Sequence, residues 1–195
     1  MKHGIGLSLL LAASLATPAV SRAEMATYKI SGKATFTSDA PLETMKGTTS
    51  KVTGTLEVDP ADITSAKGKF KAAVASLRTG NDLRDEHLQG DGWLDAENNP
   101  YIHFEIAEVV LGKKGSKELK KGKDTKVEVK GRFTAHGITK DVTAQGTVKW
   151  AGETIRIKAD FPVKLTDHDI SVPSIVRLKV ANDIAVSVDL NGNTR

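Results

Sequence analysis

The residues best equipped for chemistry lie in a few short stretches. Arg84-Asp85-Glu86-His87-Leu88 puts a guanidinium, two carboxylates and an imidazole within five positions. His103 follows in Asn99-Pro100-Tyr101-Ile102-His103-Phe104, and His136 opens His136-Gly137-Ile138-Thr139-Lys140. A further imidazole is framed by carboxylates in Asp167-His168-Asp169. A carboxylate beside an imidazole can move protons, so Asp85 with His87 or His136 would suit acid–base work. Nothing in the spacing specifies it: no GxSxG elbow presents a nucleophile, and the chain has no cysteine to act as one. There is no HExxH pair to hold a metal, and successive side chains of an extended Asp167-His168-Asp169 point apart. Neither a metal nor a cofactor is expected. An arginine among carboxylates and carbonyls can satisfy several of them at once. Arg84, Asp85, His87 and His136 therefore read first as a hydrogen-bond cluster closing one end of the fold. Gly137 would allow the tight turn that His136 pins.

The elements that position these groups are strands. Eight runs alternate apolar and polar residues, which places every second side chain on one face. The apolar sets are Tyr28, Ile30, Ala34 and Phe36; Val52, Leu56 and Val58; Phe70, Ala72 and Val74; Ile102, Phe104 and Ile106. They continue with Val127, Val129 and Phe133; Val142, Ala144, Val148 and Trp150; Ile155, Ile157, Phe161 and Val163; and Ile184, Val186 and Val188. One polar face per strand excludes a parallel α/β sheet, whose strands are apolar on both sides. An antiparallel barrel or a two-sheet sandwich fits the pattern. Barrel closure would remove the exposed edges. Gly32, Gly54, Gly131 and Gly146 lie inside the runs, where glycine marks bulges or sharp coiling.

Three segments break the alternation. Asn81 to Gln89 has helical spacing and an Asn81-Asp82 start suited to capping a short helix. Pro41 to Thr49 reads as a loop leading into a strand. Leu111 to Thr125, rich in lysine and glycine, reads as a mobile, solvated connection between two strands. No linker or repeat interrupts the chain, so residues 24–195 are expected to form one domain.

The first 23 residues have the layout of a secretory signal peptide: basic Lys2, an apolar centre from Leu7 to Leu15, and small residues up to Ala23. A periplasmic or secreted location is the expectation, with no integral membrane span after cleavage. The formal charge of +4 includes Lys2 and Arg22, so the remainder is close to neutral. Few aromatics and lysines scattered over outward faces argue against nucleic-acid binding. A charged face on every strand argues against an outer-membrane barrel, whose outer surface must be apolar.

Several dispersed stretches, in order, resemble the YceI-like family. They are Thr79 through Leu88, Trp93-Leu94-Asp95 with Asn99 through Phe104, Val129 through Lys140, and Val180 through Val188. The resemblance covers about residues 27 to 190. It implies an all-β fold: a lipocalin-like, eight-stranded antiparallel β-barrel with a short helix. It also implies a non-enzymatic carrier or buffer that holds an isoprenoid or other amphipathic lipid inside the barrel, and a possible homodimer. Family members often carry a His-Ser pair shortly after the opening tyrosine, where this chain has Ser31-Gly32-Lys33. The ligand-facing residues would be Ile30, Phe36, Val74, Phe104, Ile106, Val129, Phe133, Val142, Val148, Ile157, Phe161 and Val186. Two other readings compete. One is a small hydrolase or lyase using Asp85, His87 and His136 on a hydrophobic substrate. The other is a packed, ligand-free stress-response barrel.

Overall fold

A computed structural model describes residues 24–112 and 115–194. The segment read as a signal peptide, residues 1–23, lies outside the described residues. Eight antiparallel strands close into a barrel in which each strand pairs with its sequence neighbours and β1 pairs with β8. The strands are β1 (Ala26–Asp39), β2 (Thr44–Asp59), β3 (Asp62–Ala73), β4 (Tyr101–Leu111), β5 (Asp124–Ala135), β6 (Ile138–Trp150), β7 (Thr154–Lys164) and β8 (Asp183–Thr194). All eight alternating runs are strands, save that Val74 falls just past the end of β3. One helix, α1 (Asp82–Gln89), lies in the β3–β4 connection, with the side chain of Asn81 accepting from the Arg84 N–H as its cap.

Closure depends on glycines placed opposite bulky inward side chains. Phe36 lies directly across from Gly47, and Phe70 directly across from Gly54. A Cβ at Gly47 would collide with the Phe36 ring, and one at Gly131 with the ring of Phe104. Each ring lies over a bare stretch of neighbouring backbone, which lets the sheet coil tightly.

Bulges reset the alternation. Lys33 alone in β1 faces both Ser50 and Lys51 in β2, so the inward set changes from Met45, Gly47 and Thr49 to Val52, Leu56 and Val58. Ala107 is the extra residue of β4, and the inward set shifts from Ile106 to Val109. This shift of parity is what a bulge does.

The wall also parts in two places. β3 pairs with β4 only from Lys69↔Glu105 to Ala73↔Tyr101. β6 pairs with β7 only from Gln145↔Asp160 to Trp150↔Ile155. Each gap is filled by a connecting segment. Near the first, Ile63 N–H donates to the Lys117 carbonyl at 2.8 Å and Leu119 N–H to the Pro60 carbonyl at 2.7 Å, with Leu119 buried. Leu119 anchors this connection by its burial, while Lys117, Glu118 and Lys120 through Lys123 are exposed, as their composition suggests. Thr44 to Thr49, read from sequence as loop, is the start of β2, held by its ladder to β1.

One end of the barrel is a floor. Tyr28 is fully buried; its hydroxyl donates to the Gly152 carbonyl at 2.8 Å and accepts from Trp150 Nε1 at 2.8 Å. Outside, cation–carboxylate pairs link neighbouring strands: Arg132 with Glu105, Lys130 with Glu108, and Arg156 with both Asp189 oxygens. Exposed pairs of this kind contribute little individually.

Candidate ligand-binding site

The interior is hollow. A cavity of about 240 Å3 runs between the floor cluster around Leu56, Val58 and Ile155 and the opposite cluster around Leu77, Leu94 and Ile170. It touches residues of both clusters, so it is narrow for its length. Small residues keep it open: Ala34, Ala66, Ala72, Ala135, Ala144 and Ala159 all border it. Its lining is almost wholly apolar. Thr35, Thr49, Lys71, His103 and His168 are the polar residues along it.

Nine of the twelve residues assigned to the interior from sequence line this space: Phe36, Phe104, Ile106, Val129, Phe133, Val148, Ile157, Phe161 and Val186. Phe161 joins two further rings, with centroids 5.6 Å from Phe104 in a tilted arrangement and 5.5 Å from Phe133 edge-on. Three residues do not line it. Ile30 belongs to the floor, with its Cδ1 tight against Gly192. Val74 begins a 3-10 turn past the end of β3, where its N–H donates to the Pro100 carbonyl at 3.0 Å. Val142 lies above the last β6–β7 ladder pair, where the two strands have separated.

The far end is covered by two connections. The first carries α1 and the loop to β4 and contributes Leu77, Leu88, Trp93 and Leu94 to the cavity wall. The second runs from β7 to β8 and contributes Leu165, His168, Ile170 and Val180. None of these was legible as interior, because neither connection has a strand's alternation and the helical spacing of Asn81 to Gln89 does not mark Leu88 as inward.

The polar residues expected to form one cluster form separate ones. Asp85 is buried and accepts from the Thr79 hydroxyl at 2.6 Å and the Thr79 N–H at 2.7 Å. The Thr79 hydroxyl bond, assisted by the Thr79 N–H and the nearby Arg78 and Arg84 charges, holds the Asp85 carboxyl below its ordinary range, against the opposing effect of burial. Arg84 bonds Thr79 and reaches Glu43 Oε1 at 2.8 Å, which ties the helix to the β1–β2 hairpin. Arg84 and Asp85 thus meet through Thr79 rather than as a direct pair.

His87 is exposed in the last turn of α1 and makes no side-chain hydrogen bond among the described residues. His136 and Gly137 both have positive φ (49° and 73°) and form the two-residue β5–β6 hairpin turn. His136 Nδ1 donates to the His168 carbonyl at 2.9 Å. His168 Nδ1 in turn donates to the Ile138 carbonyl at 2.9 Å, and its buried ring stands edge-on to Phe133. A carbonyl can only accept, so both rings carry their proton on Nδ1. None of Arg84, Asp85, His87 or His136 borders the cavity. The convergence that acid–base chemistry on a bound hydrophobic substrate requires is absent from these groups.

The dispersed motifs instead meet as parts of the cover. A Cβ on Gly137 would come within 2.9 Å of Asn99 Oδ1, so the hairpin turn packs on the loop before β4. Asn99 Nδ2 donates to Asp95, itself at positive φ. Among the described residues no three His, Asp or Glu side chains are placed to hold a metal ion, and no helix is long and apolar enough to cross a membrane.

A closed antiparallel barrel with an apolar bore and a cover of two connections is a lipocalin-like architecture. The sequence profile of the YceI-like domain matches residues 22–192, and the chain belongs to that family. Among curated relatives, a UPF0312 protein of Vibrio cholerae is 28% identical over 134 residues, 66% of either chain. One from Pseudomonas putida is 27% identical over 146 residues, 72% of this chain and 71% of that one. The matched stretch spans about two thirds of these relatives. Among solved structures, Burkholderia cenocepacia BcnA superposes with a TM-score of 0.70 at 20% identity, over 82% of this chain and 94% of that one. A polyisoprenoid binding domain from Saccharophagus degradans, implicated in plant cell wall breakdown, superposes with a TM-score of 0.66 at 15% identity, over 88% and 100%. At these identities the likeness establishes the shared fold.

Proposed function

We propose that this chain is a non-enzymatic, periplasmic carrier or buffer that holds a polyisoprenoid, or a similar long-chain amphiphile, in the bore of its barrel. The observation that carries this reading is the cavity itself: narrow, apolar and continuous from the floor cluster to the cover. Solid cores leave few voids larger than a water molecule. A ligand-free packed barrel would have no use for six alanines around an open bore. The volume lies a little below the ~300–1,000 Å3 usual for small-molecule sites, and its length favours a flexible linear chain over a fused ring system.

Each methylene-sized group moved from water into the bore contributes about 0.8 kcal/mol before the costs of ordering the chain. Affinity of this origin reads length and girth rather than polar detail. The polyisoprenoid-binding neighbour supports the same class of cargo. The N-terminal sequence supports export.

The test is to purify the exported protein without detergent, extract it with organic solvent, and identify what is released by mass spectrometry. A prenyl lipid near one per barrel is expected. Protein that carries none, and that takes up no added prenyl lipid or long-chain amphiphile after delipidation, would overturn the proposal.

A further inference from the structure

The β7–β8 connection has an unusual outer half. From Ser171 to Val180 no residue is buried, although the segment is bounded by fully buried Ile170 and by Ala181, whose N–H donates to the buried Ser38 hydroxyl at 2.8 Å. A 3-10 turn over Ser174–Val176 continues into a helical turn, with Lys179 and Val180 N–H both bonded to the Val176 carbonyl. Residues three apart share a helical face. Ile175 is 90% exposed and Leu178 57% exposed. The Leu178 carbonyl accepts from Leu42 N–H at 2.9 Å, which brings Leu42, 69% exposed, beside them from the β1–β2 hairpin.

These are three of the six large exposed apolar side chains among the described residues, and they sit at one end of the barrel. Arg177 and Lys179 alternate with them, are exposed, and make no ion pair among the described residues. The carboxylates nearest along the two segments are otherwise engaged: Glu43 with Arg84, Asp39 with Thr44, and Asp183 with Lys164. Asp167 and Asp169 precede the flap. The inner side of the same segment reaches the cavity through Val180.

We propose that this flap docks the covered end of the barrel onto an anionic lipid bilayer, with Ile175, Leu178 and Leu42 entering the interface and Arg177 and Lys179 meeting lipid phosphates. Apolar side chains interleaved with cations are what interfacial binding requires. Each basic residue near an anionic surface adds about fivefold to the partition. A surface-docked flap lightly held along its length would open the bore directly toward the bilayer, so cargo need not cross water. This inference rests on the carrier reading for its purpose but not for its test.

The test is flotation of the delipidated protein with vesicles of phosphatidylcholine alone or mixed with phosphatidylglycerol. Binding to the anionic vesicles, weakened by salt, is expected. The double variant Ile175→Asp, Leu178→Asp should bind them at least about tenfold more weakly. Arg177→Glu with Lys179→Glu should remove the preference for phosphatidylglycerol. Both variants should keep the parent's melting temperature and its uptake of a detergent-dispersed prenyl lipid. A parent that floats with neither vesicle, or variants that float as well as the parent, would overturn the proposal. So would a parent that self-associates through this face, with Ile175→Asp, Leu178→Asp giving monomers. If the parent takes up prenyl lipid yet ignores vesicles, docking alone fails. If it docks yet takes up no lipid, the carrier reading alone fails.

Discussion

Replacing Ala159 by leucine separates a hollow barrel from a packed one by the sign of its effect. Ala159 borders the bore midway along β7, opposite Gly146 on β6 and Val188 on β8. Leucine adds three carbons, which can occupy part of the roughly 240 Å3 already open. At about 0.8 kcal/mol per methylene-sized group, full burial gives about 2 kcal/mol of added stability. For a protein of this size that raises the melting temperature by about 4–8 °C. The same carbons displace a similar length of bound chain, so prenyl-lipid affinity should fall by about 30-fold. Thermal denaturation of delipidated protein reads the first effect, and a titration with the lipid reads the second. In a filled interior the same substitution overpacks and costs about 1–3 kcal/mol. A destabilised variant with unchanged lipid affinity would refute the reasoning.

Other outcomes follow from the fold. Tyr28→Phe removes the hydroxyl that joins the Gly152 carbonyl to Trp150 Nε1; urea denaturation should show a loss of about 1–3 kcal/mol, with lipid affinity unchanged because neither Tyr28 nor Trp150 borders the bore. Gly47→Ala should destabilise the barrel by forcing Phe36 aside, and Phe36→Leu in the same chain should recover part of the loss, a coupling visible in a double-mutant cycle. Asp85 has a folded-state pKa below its unfolded value, so its contribution is complete above the ordinary carboxylate range and is lost as pH falls through the lowered value. Asp85→Asn should therefore flatten the acid limb of a stability–pH curve while leaving a deficit near neutrality.

The strands were legible because a half-buried strand writes its two faces into alternate residues, and α1 because Asn81 and the residues after it carry a cap and a helical spacing. The interior was legible for the same reason: an inward residue at mid-strand, such as Val129 or Ile157, lines the bore. Departures came where tertiary structure overrides local pattern. The bulge at Ser50-Lys51 reverses parity without any sequence mark, hiding Met45 and Thr49. Gly47 and its polar neighbours read as loop because the ring that completes that strand, Phe36, comes from another one. Leu119 is a lone apolar residue among lysines, too little for periodicity yet enough to anchor its segment. The histidines and Arg84-Asp85 looked like a shared site because their types suit chemistry, but His136 and His168 bond backbone carbonyls, Arg84 and Asp85 meet at Thr79 with Arg84 also on Glu43, and His87 has no hydrogen-bond partner among the described residues.

The central claim is that a prenyl chain enters the bore, and the protein carries its own reporter. It has two tryptophans: Trp93 borders the cavity, and Trp150 is bonded to Tyr28 in the floor. With both replaced by 5-fluorotryptophan and assigned through single Trp→Phe variants, 19F NMR of the delipidated protein should give two resonances. On titration with a polyprenyl lipid, the Trp93 resonance should shift and saturate at one lipid per barrel while that of Trp150 stays nearly fixed. A Trp93 resonance that does not move, or moves without saturating, would contradict the account.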